Sequence, residues 1–232
     1  MTAPEVRAQG RFITFEGGEG AGKSTQIARL AARLDDIGMR HIQTREPGGC
    51  PFAETARSIL LDPQAAPKSA LAQALLFYAA RADHLELTIR PALADGAWVL
   101  CDRFSDSTRA YQGAAGGIDP ATLAVVDHLV VGDTQPDLTI LLDLDPKIGL
   151  ARANQRRVAT TPGSFIAADT YESRHLDFHQ RLRAGFLAIA KAEPDRVVVF
   201  DAFQNELMIA DKIWHHVCTR LTASLPPGTA AS

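Results

Sequence analysis

The stretch Phe12-Ile13-Thr14-Phe15-Glu16-Gly17-Gly18-Glu19-Gly20-Ala21-Gly22-Lys23-Ser24-Thr25-Gln26 decides the fold. A short apolar run, Phe12–Phe15, enters a glycine-rich loop. Ala21–Leu34 leaves it with helical spacing, Ile27, Leu30, Ala31 and Leu34 falling on one side. Gly17 to Ser24 matches G-x-x-x-x-G-K-[ST] in the strand–loop–helix setting that this motif requires. Glycines let the backbone wrap closely, so residues Gly17, Gly18, Gly20, Ala21, Gly22, Lys23, Ser24 and Thr25 can cradle phosphate oxygens at a helix N-terminus. Lys23 is expected to reach the β- and γ-phosphates of ATP, and the Ser24 hydroxyl to bind Mg2+. A plain glycine-rich turn with a surface lysine is disfavoured because strand, loop and helix all agree with the motif.

Outward from this loop, apolar runs of strand length alternate with longer helical patterns. Further strands are expected at His41–Thr44, Trp98–Cys101, Leu138–Leu144 and Arg196–Phe200. Helices are expected at Phe52–Leu61, Ser69–Ala94, Ser105–Tyr111, Pro120–Val131, from Pro146 onward, Tyr171–Ala192 and Glu206–Leu221. Pro91 is expected to bend or fray the long Ser69–Ala94 helix. Gly113–Gly117 and Val158–Ala168 read as loops. The alternation predicts an α/β protein with a parallel sheet and helices on both faces. The continuous apolar strands fit a sheet buried on both sides. No internal repeat is present.

The 232 residues suffice for one sizeable core, so residues 1–222 are expected to form one domain and 223–232 a loose tail. The net charge of −3 argues against a nucleic-acid polymer as partner but allows a local cationic pocket. Cys50, Cys101 and Cys218 show neither metal-ligand spacing nor a disulfide framework, which fits a reducing cytoplasm. Met1–Gly10 lacks the apolar core of a signal peptide, and no apolar run is long enough to span a bilayer.

Arg45 follows the second expected strand in Arg45-Glu46-Pro47-Gly48-Gly49, and Arg103 follows the third in Asp102-Arg103. Ligands of open α/β sheets collect beyond the carboxyl ends of the strands, so both arginines belong to the rim that carries the phosphate loop. Two cationic loops there point to a second phosphorylated ligand, each arginine alone being equally at home in an ordinary ion pair. Asp102 ends an apolar strand, the usual setting for an acid near magnesium. Asp143 has the same setting; Asp102 is preferred because Arg103 adjoins it, and Asp143 reads as a cap of the following helix. An Asn-Lys-x-Asp signature for guanine is absent.

Together with LLFYAAR (Leu75–Arg81), WVLCDRFSDSTRAYQG (Trp98–Gly113) and PDLTILLDLDP (Pro136–Pro146), these segments resemble bacterial thymidylate kinases over roughly residues 10–220. The resemblance implies a five-stranded parallel sheet of order 2-3-1-4-5, phosphorylation of dTMP to dTDP by ATP, and a homodimer with the Leu71–Ile89 helix as one candidate interface. It implies that Phe77 stacks on thymine and Arg81 bonds the base, although periodicity alone reads Phe77 as core. Thr108 and Gln112 fall where the family contacts the base, and Tyr111 where a tyrosine crowds the sugar 2′ position. Glu19 resembles the acid that meets the 3′-hydroxyl and positions the acceptor; Arg45 and Arg103 resemble the arginines that hold its phosphate. Without the family, Glu19 reads as a solvated loop charge and Tyr111 as a half-buried helix residue. Another nucleotide or deoxynucleoside kinase, and a non-enzymatic nucleotide-binding switch, are the rival readings.

A lid is expected over about residues 152–172, with a catalytic arginine from Arg152, Arg156 or Arg157; Arg156 is the first choice. The lid departs from the family: Asp169-Thr170-Tyr171-Glu172 lacks the usual arginine, and Phe165 and Ile166 lie in a longer segment. Cys50 stands where a hydroxyl residue is usual, and Phe104 replaces the usual Tyr or His. His175 and His179 sit one helical turn apart without a third metal ligand.

Overall fold

The structure, a computed structural model, describes residues 10–160 and 170–221. Its strands are β1 (Phe12–Glu16), β2 (His41–Arg45), β3 (Trp98–Asp102), β4 (Leu138–Asp143) and β5 (Val197–Asp201). They form one sheet in the order β2-β3-β1-β4-β5, every pairing parallel. This is the expected order. The register sets Phe15 and Arg45 opposite Asp102, so the carboxyl ends of β1, β2 and β3 meet on one rim.

Both faces are covered at the central strands β1, β3 and β4, which explains their largely apolar sequences; the edge strands β2 and β5 are partly exposed. On one face α1 (Lys23–Asp36) and α9 (Glu206–Arg220) pack Ile27, Leu30, Leu34, Ile209, Ile213 and Val217 against Ile13, Leu100 and Ile140. On the other, α8 (Leu176–Ala192) packs Leu182 and Phe186 near Leu141 and Tyr111. The remaining helices are α2 (Pro51–Leu61), α3 (Ala70–His84), α4 (Arg90–Ala94), α5 (Ser105–Thr108), α6 (Pro120–Val130) and α7 (Pro146–Thr160).

Four expectations need correction. The Ser69–Ala94 helix is not uniform: a π-helical turn, Leu85–Ile89, joins α3 to α4. There the Arg90 amide donates to the Leu85 carbonyl, five residues back, so the chain widens just before Pro91, which has no N–H to continue an α-helical ladder. A second π-helical segment, Arg109–Ala115, carries the chain through much of the expected Gly113–Gly117 loop. The α8 helix begins at Leu176 rather than Tyr171. Finally, α7 runs on to Thr160, through the start of the expected Val158–Ala168 loop; positions 161–169 lie outside the described residues. No helix among the described residues is long and apolar enough to cross a membrane.

Candidate active site

The loop between β1 and α1 owes its shape to close backbone approaches. Gly17 has φ 138° and Gly20 φ 68°, conformations that L side chains rarely adopt. A Cβ on Gly20 would lie 2.1 Å from the carbonyl oxygen of Gly149. A Cβ on Gly149, in α7, would lie 2.2 Å from that of Glu19. Two glycines thus let α7 press on the loop. Gly22 caps α1 without a side-chain bond, leaving the first amides of the helix to an anion. Lys23 is buried and donates to the carbonyls of Gly17 (3.3 Å) and Gly18 (3.1 Å). Burial, and then the Arg103 charge, push its ammonium below the usual lysine value. Ser24 Oγ donates to Asp102 Oδ2 at 3.3 Å, and Asp102 Oδ1 is buried with no hydrogen-bond partner.

Arg103 follows Asp102 and, among the described residues, is the non-glycine residue with positive φ (69°). Its guanidinium donates to the Gly17 carbonyl (3.0 Å), Ser107 Oγ (3.3 Å) and Glu19 Oε1 (2.8 Å). Tyr111 also donates its hydroxyl to Glu19 Oε1, at 2.6 Å. Burial works against the Glu19 charge, yet Arg103, Lys23 and Tyr111 outweigh it and hold the carboxyl at about 2. Glu19 is therefore ionised at neutral pH and is no proton donor. Glu16, at the end of β1, behaves oppositely: burial and then Asp106 push it up to about 7.

Two cavities meet at this point. One, of about 120 Å³, is lined by Phe77, Arg81, Thr108, Tyr111, Gln112 and Tyr171 among others. The second is lined by Gly20, Ala21, Gly22, Lys23, Ser24, Arg45, Asp102 and Arg156. Glu19, Glu46, Arg57 and Arg103 line both. Arg81 is only 1% exposed. Its Nε donates to Glu46 (2.8 Å) and its Nη2 to Thr108 Oγ1 (3.1 Å), while Nη1 is buried with no hydrogen-bond partner. Glu46 so pairs with Arg81 and lies 3.1 Å from His84 Nδ1, not beside its neighbour Arg45. Phe77 is half-buried, its ring 6.2 Å from that of Tyr171. Gln112 Nε2 donates to the Tyr171 hydroxyl, which in turn donates to Gln73.

The structure thus gathers Lys23, Ser24, Glu19, Phe77, Arg81, Asp102, Arg103, Thr108, Tyr111 and Gln112 around one junction. Arg45 is only partly there: exposed and paired with Glu54, it borders the phosphate-loop cavity and not the one beside Phe77. Arg57 of α2 borders both and escapes sequence reading, since periodicity gives it no distinction from other helix-surface charges. Glu16, Gly149 and Tyr171 are also missed. Glu16 leaves a faint signal, a carboxylate closing the largely apolar strand FITFE. Asp143 does not cap α7; Arg183 clasps it with two bonds of 2.7 and 2.8 Å. Of the lid arginines, Arg156 reaches the cleft, Arg152 donates to the Ala202 carbonyl, and the Arg157 side chain lies outside the described residues. Cys50 precedes α2 without a side-chain cap, and Glu54 instead accepts from the Gly49 amide at 3.0 Å. Among the described residues no group of three or more His, Cys, Asp or Glu side chains could hold a metal ion; His175 stands at the cap of α8, and His179 is buried within that helix.

The thymidylate kinase family profile matches residues 15–213. A thymidylate kinase of Rhodopseudomonas palustris is 52% identical over 216 residues, covering 92% of this chain and 90% of the relative. One from Caulobacter vibrioides is 55% identical over 194 residues, covering 84% and 89%. The crystal structure of a thymidylate kinase from Ehrlichia chaffeensis superposes with a TM-score of 0.69 at 33% identity, covering 88% of this chain and 96% of that one.

Proposed function

Because the chain belongs to the thymidylate kinase family, we propose that it transfers the γ-phosphoryl group of ATP to dTMP, giving ADP and dTDP for nucleotide biosynthesis. The observation that carries this reading is the pair of cavities joined at Glu19, Glu46, Arg57 and Arg103, one beside the phosphate loop and one beside an aromatic ring and an unsatisfied guanidinium. A nucleotide switch needs only the first.

In this reading thymine lies against Phe77, with Arg81 Nη1, Thr108 and Gln112 on its polar edge and Tyr111 against the sugar 2′ position. The ionised Glu19 accepts from the 3′-hydroxyl. Arg103, Arg57 and Arg45 offset the charge of the acceptor phosphate, and planar guanidinium forks suit that task. One acceptor oxygen then attacks the γ-phosphorus in line. The new P–O bond forms as the bond to the β,γ-bridging oxygen breaks, and that electron pair leaves with ADP. Lys23 and the loop amides hold the donor phosphates, and Arg156 adds positive charge from α7. Alignment and charge neutralisation are what such a reaction asks of a protein. Residues 152–172 serve as a lid that excludes water. Ser24 Oγ and Asp102 suit Mg2+, since a hydroxyl and a carboxylate with an unused oxygen are hard donors. When bound, that ion neutralises the β- and γ-phosphate oxygens. We place the enzyme in the cytoplasm, which fits three free cysteines, and as a homodimer.

The test is ADP release from ATP with and without dTMP, in magnesium. Strong stimulation by dTMP, with negligible turnover of thymidine, dCMP and GMP, is expected. Lys23→Ala should abolish it. Turnover that ignores dTMP would end the proposal.

A further inference from the structure

Arg103 is held in a costly conformation, and its surroundings show what holds it. A non-glycine residue in the left-handed region is uncommon, and such strain persists only where neighbours over-determine it. The Arg103 amide donates to the Phe15 carbonyl at 2.9 Å. The turn that follows is pinned from below by one side chain. Glu16 Oε1 accepts from the amides of Phe104 (2.8 Å) and Ser107 (3.2 Å), and Glu16 Oε2 accepts from Ser107 Oγ (2.6 Å). The same Ser107 Oγ accepts from Arg103 Nη1 at 3.3 Å. Glu16 itself is fully buried and touches neither cavity.

We infer that Glu16 is a positioning residue for the phosphoryl transfer, fixing Arg103 through the backbone of the 104–107 turn and through a Glu16–Ser107–Arg103 hydrogen-bond relay. The inference rests on the reading that Arg103 meets the acceptor phosphate. A buried carboxylate accepts on both oxygens and so holds two amide donors and a hydroxyl donor at once, whereas a side-chain amide has only one accepting oxygen. In Glu16→Gln one oxygen can still serve the amides. The Nε2 group, however, donates where the carboxylate accepted, so the Ser107 hydroxyl loses the acceptor for its proton and must turn, which shifts the oxygen that accepts from Arg103 Nη1.

The experiment is a double-mutant cycle on dTMP-dependent turnover, run with Glu16→Gln, Arg103→Ala and the pair, at about pH 8, above the value of about 7 to which burial pushes this carboxyl. Glu16→Gln alone should lower kcat by up to about a hundredfold, the size of effect that a small misplacement of a reacting group produces. KM for ATP should stay within about twofold, because the loop amides and Lys23 are untouched. In the Arg103→Ala background the same Gln substitution should change kcat by less than about threefold, since there is no guanidinium left to misplace. Multiplicative losses in the cycle would overturn the inference, because they would mean that Glu16 acts without Arg103. Full activity in Arg103→Ala would instead overturn the reading of Arg103. Ser107→Ala, run through the same cycle, cuts only the hydroxyl relay and serves if Glu16→Gln does not fold. A loss that persists undiminished beside Arg103→Ala would count equally against the relay.

Discussion

Glu16 and Glu19 lie three residues apart on one strand and loop, and their surroundings drive them in opposite directions. Glu16 is buried without a full counter-charge and rises to about 7; Glu19 faces Arg103, Lys23 and Tyr111 and falls to about 2. Linkage turns both into stability. Between the ordinary carboxyl value of 4.5 and about 7, the folded state holds the Glu16 proton longer than the unfolded chain does, so this group costs stability as pH rises through that window. The shift corresponds to about 3 kcal/mol. Glu19 stabilises above 4.5, and that contribution is lost as pH falls toward about 2. We therefore expect thermal melts from about pH 5 to about pH 7 to show the wild type losing Tm relative to Glu16→Gln, which has no proton to lose. Parallel Tm curves for the two proteins would contradict the assignment. The same residues mark what a sequence reader can see. The glycine-lysine loop is legible because its spacing is dictated by phosphate geometry. The role of Glu16 is not, because its donors come from residues 104 and 107, brought to it by β3.

Secondary-structure elements were readable where side-chain periodicity reports their surroundings. The central strands β1, β3 and β4 are apolar-rich because helices cover both faces of the sheet there, whereas the edge strand β2, HIQTR, is only partly buried; all five lie within a residue or two of expectation. The two π-helical turns are not readable, because a change from four- to five-residue hydrogen bonding is a backbone feature with no residue signature of its own in this sequence. The second of them presents Tyr111 and Gln112 to the cavity that also holds Phe77. The α7 helix supplies a different lesson. Its Gly149 sits where a Cβ would strike the Glu19 carbonyl, in a helix whose sequence gives no sign of needing glycine there. Gly149→Ala should therefore displace the phosphate loop, destabilise the protein by about 1–3 kcal/mol in a denaturant titration and lower kcat by at least about tenfold. A glycine inside a helix ordinarily stabilises when changed to alanine, by up to about 1 kcal/mol. Such a gain in stability would show that the contact is slack.

At the scale of the molecule, apolar surface remains where monomers usually have little. On α3, Leu71 and Leu75 are 46% and 49% exposed; Phe52 and Ile59 of the adjoining α2 are exposed as well. A second copy of the chain is the occupant we propose for this layer, as the family resemblance implies. The face lies on the helix that carries Phe77 and Arg81, so dimer formation would steady the acceptor cavity. Leu75→Glu should yield a monomer by sedimentation velocity, with KM for dTMP raised about tenfold and KM for ATP little changed. A wild-type protein that sediments as a monomer at micromolar concentration would remove the proposal.

Chain order and local chemistry alone establish the parallel sheet, the phosphate-binding loop and the strand ends that carry Arg45 and Arg103, because each follows from interactions between near neighbours in sequence. The structure was needed for everything that depends on distant segments meeting. It ties Arg81 to Glu46, brings Arg57 between the two cavities, turns Asp143 toward Arg183 and sets Glu16 beneath the arginine turn. These contacts join residues dozens of positions apart, and only the closing of the sheet makes them neighbours.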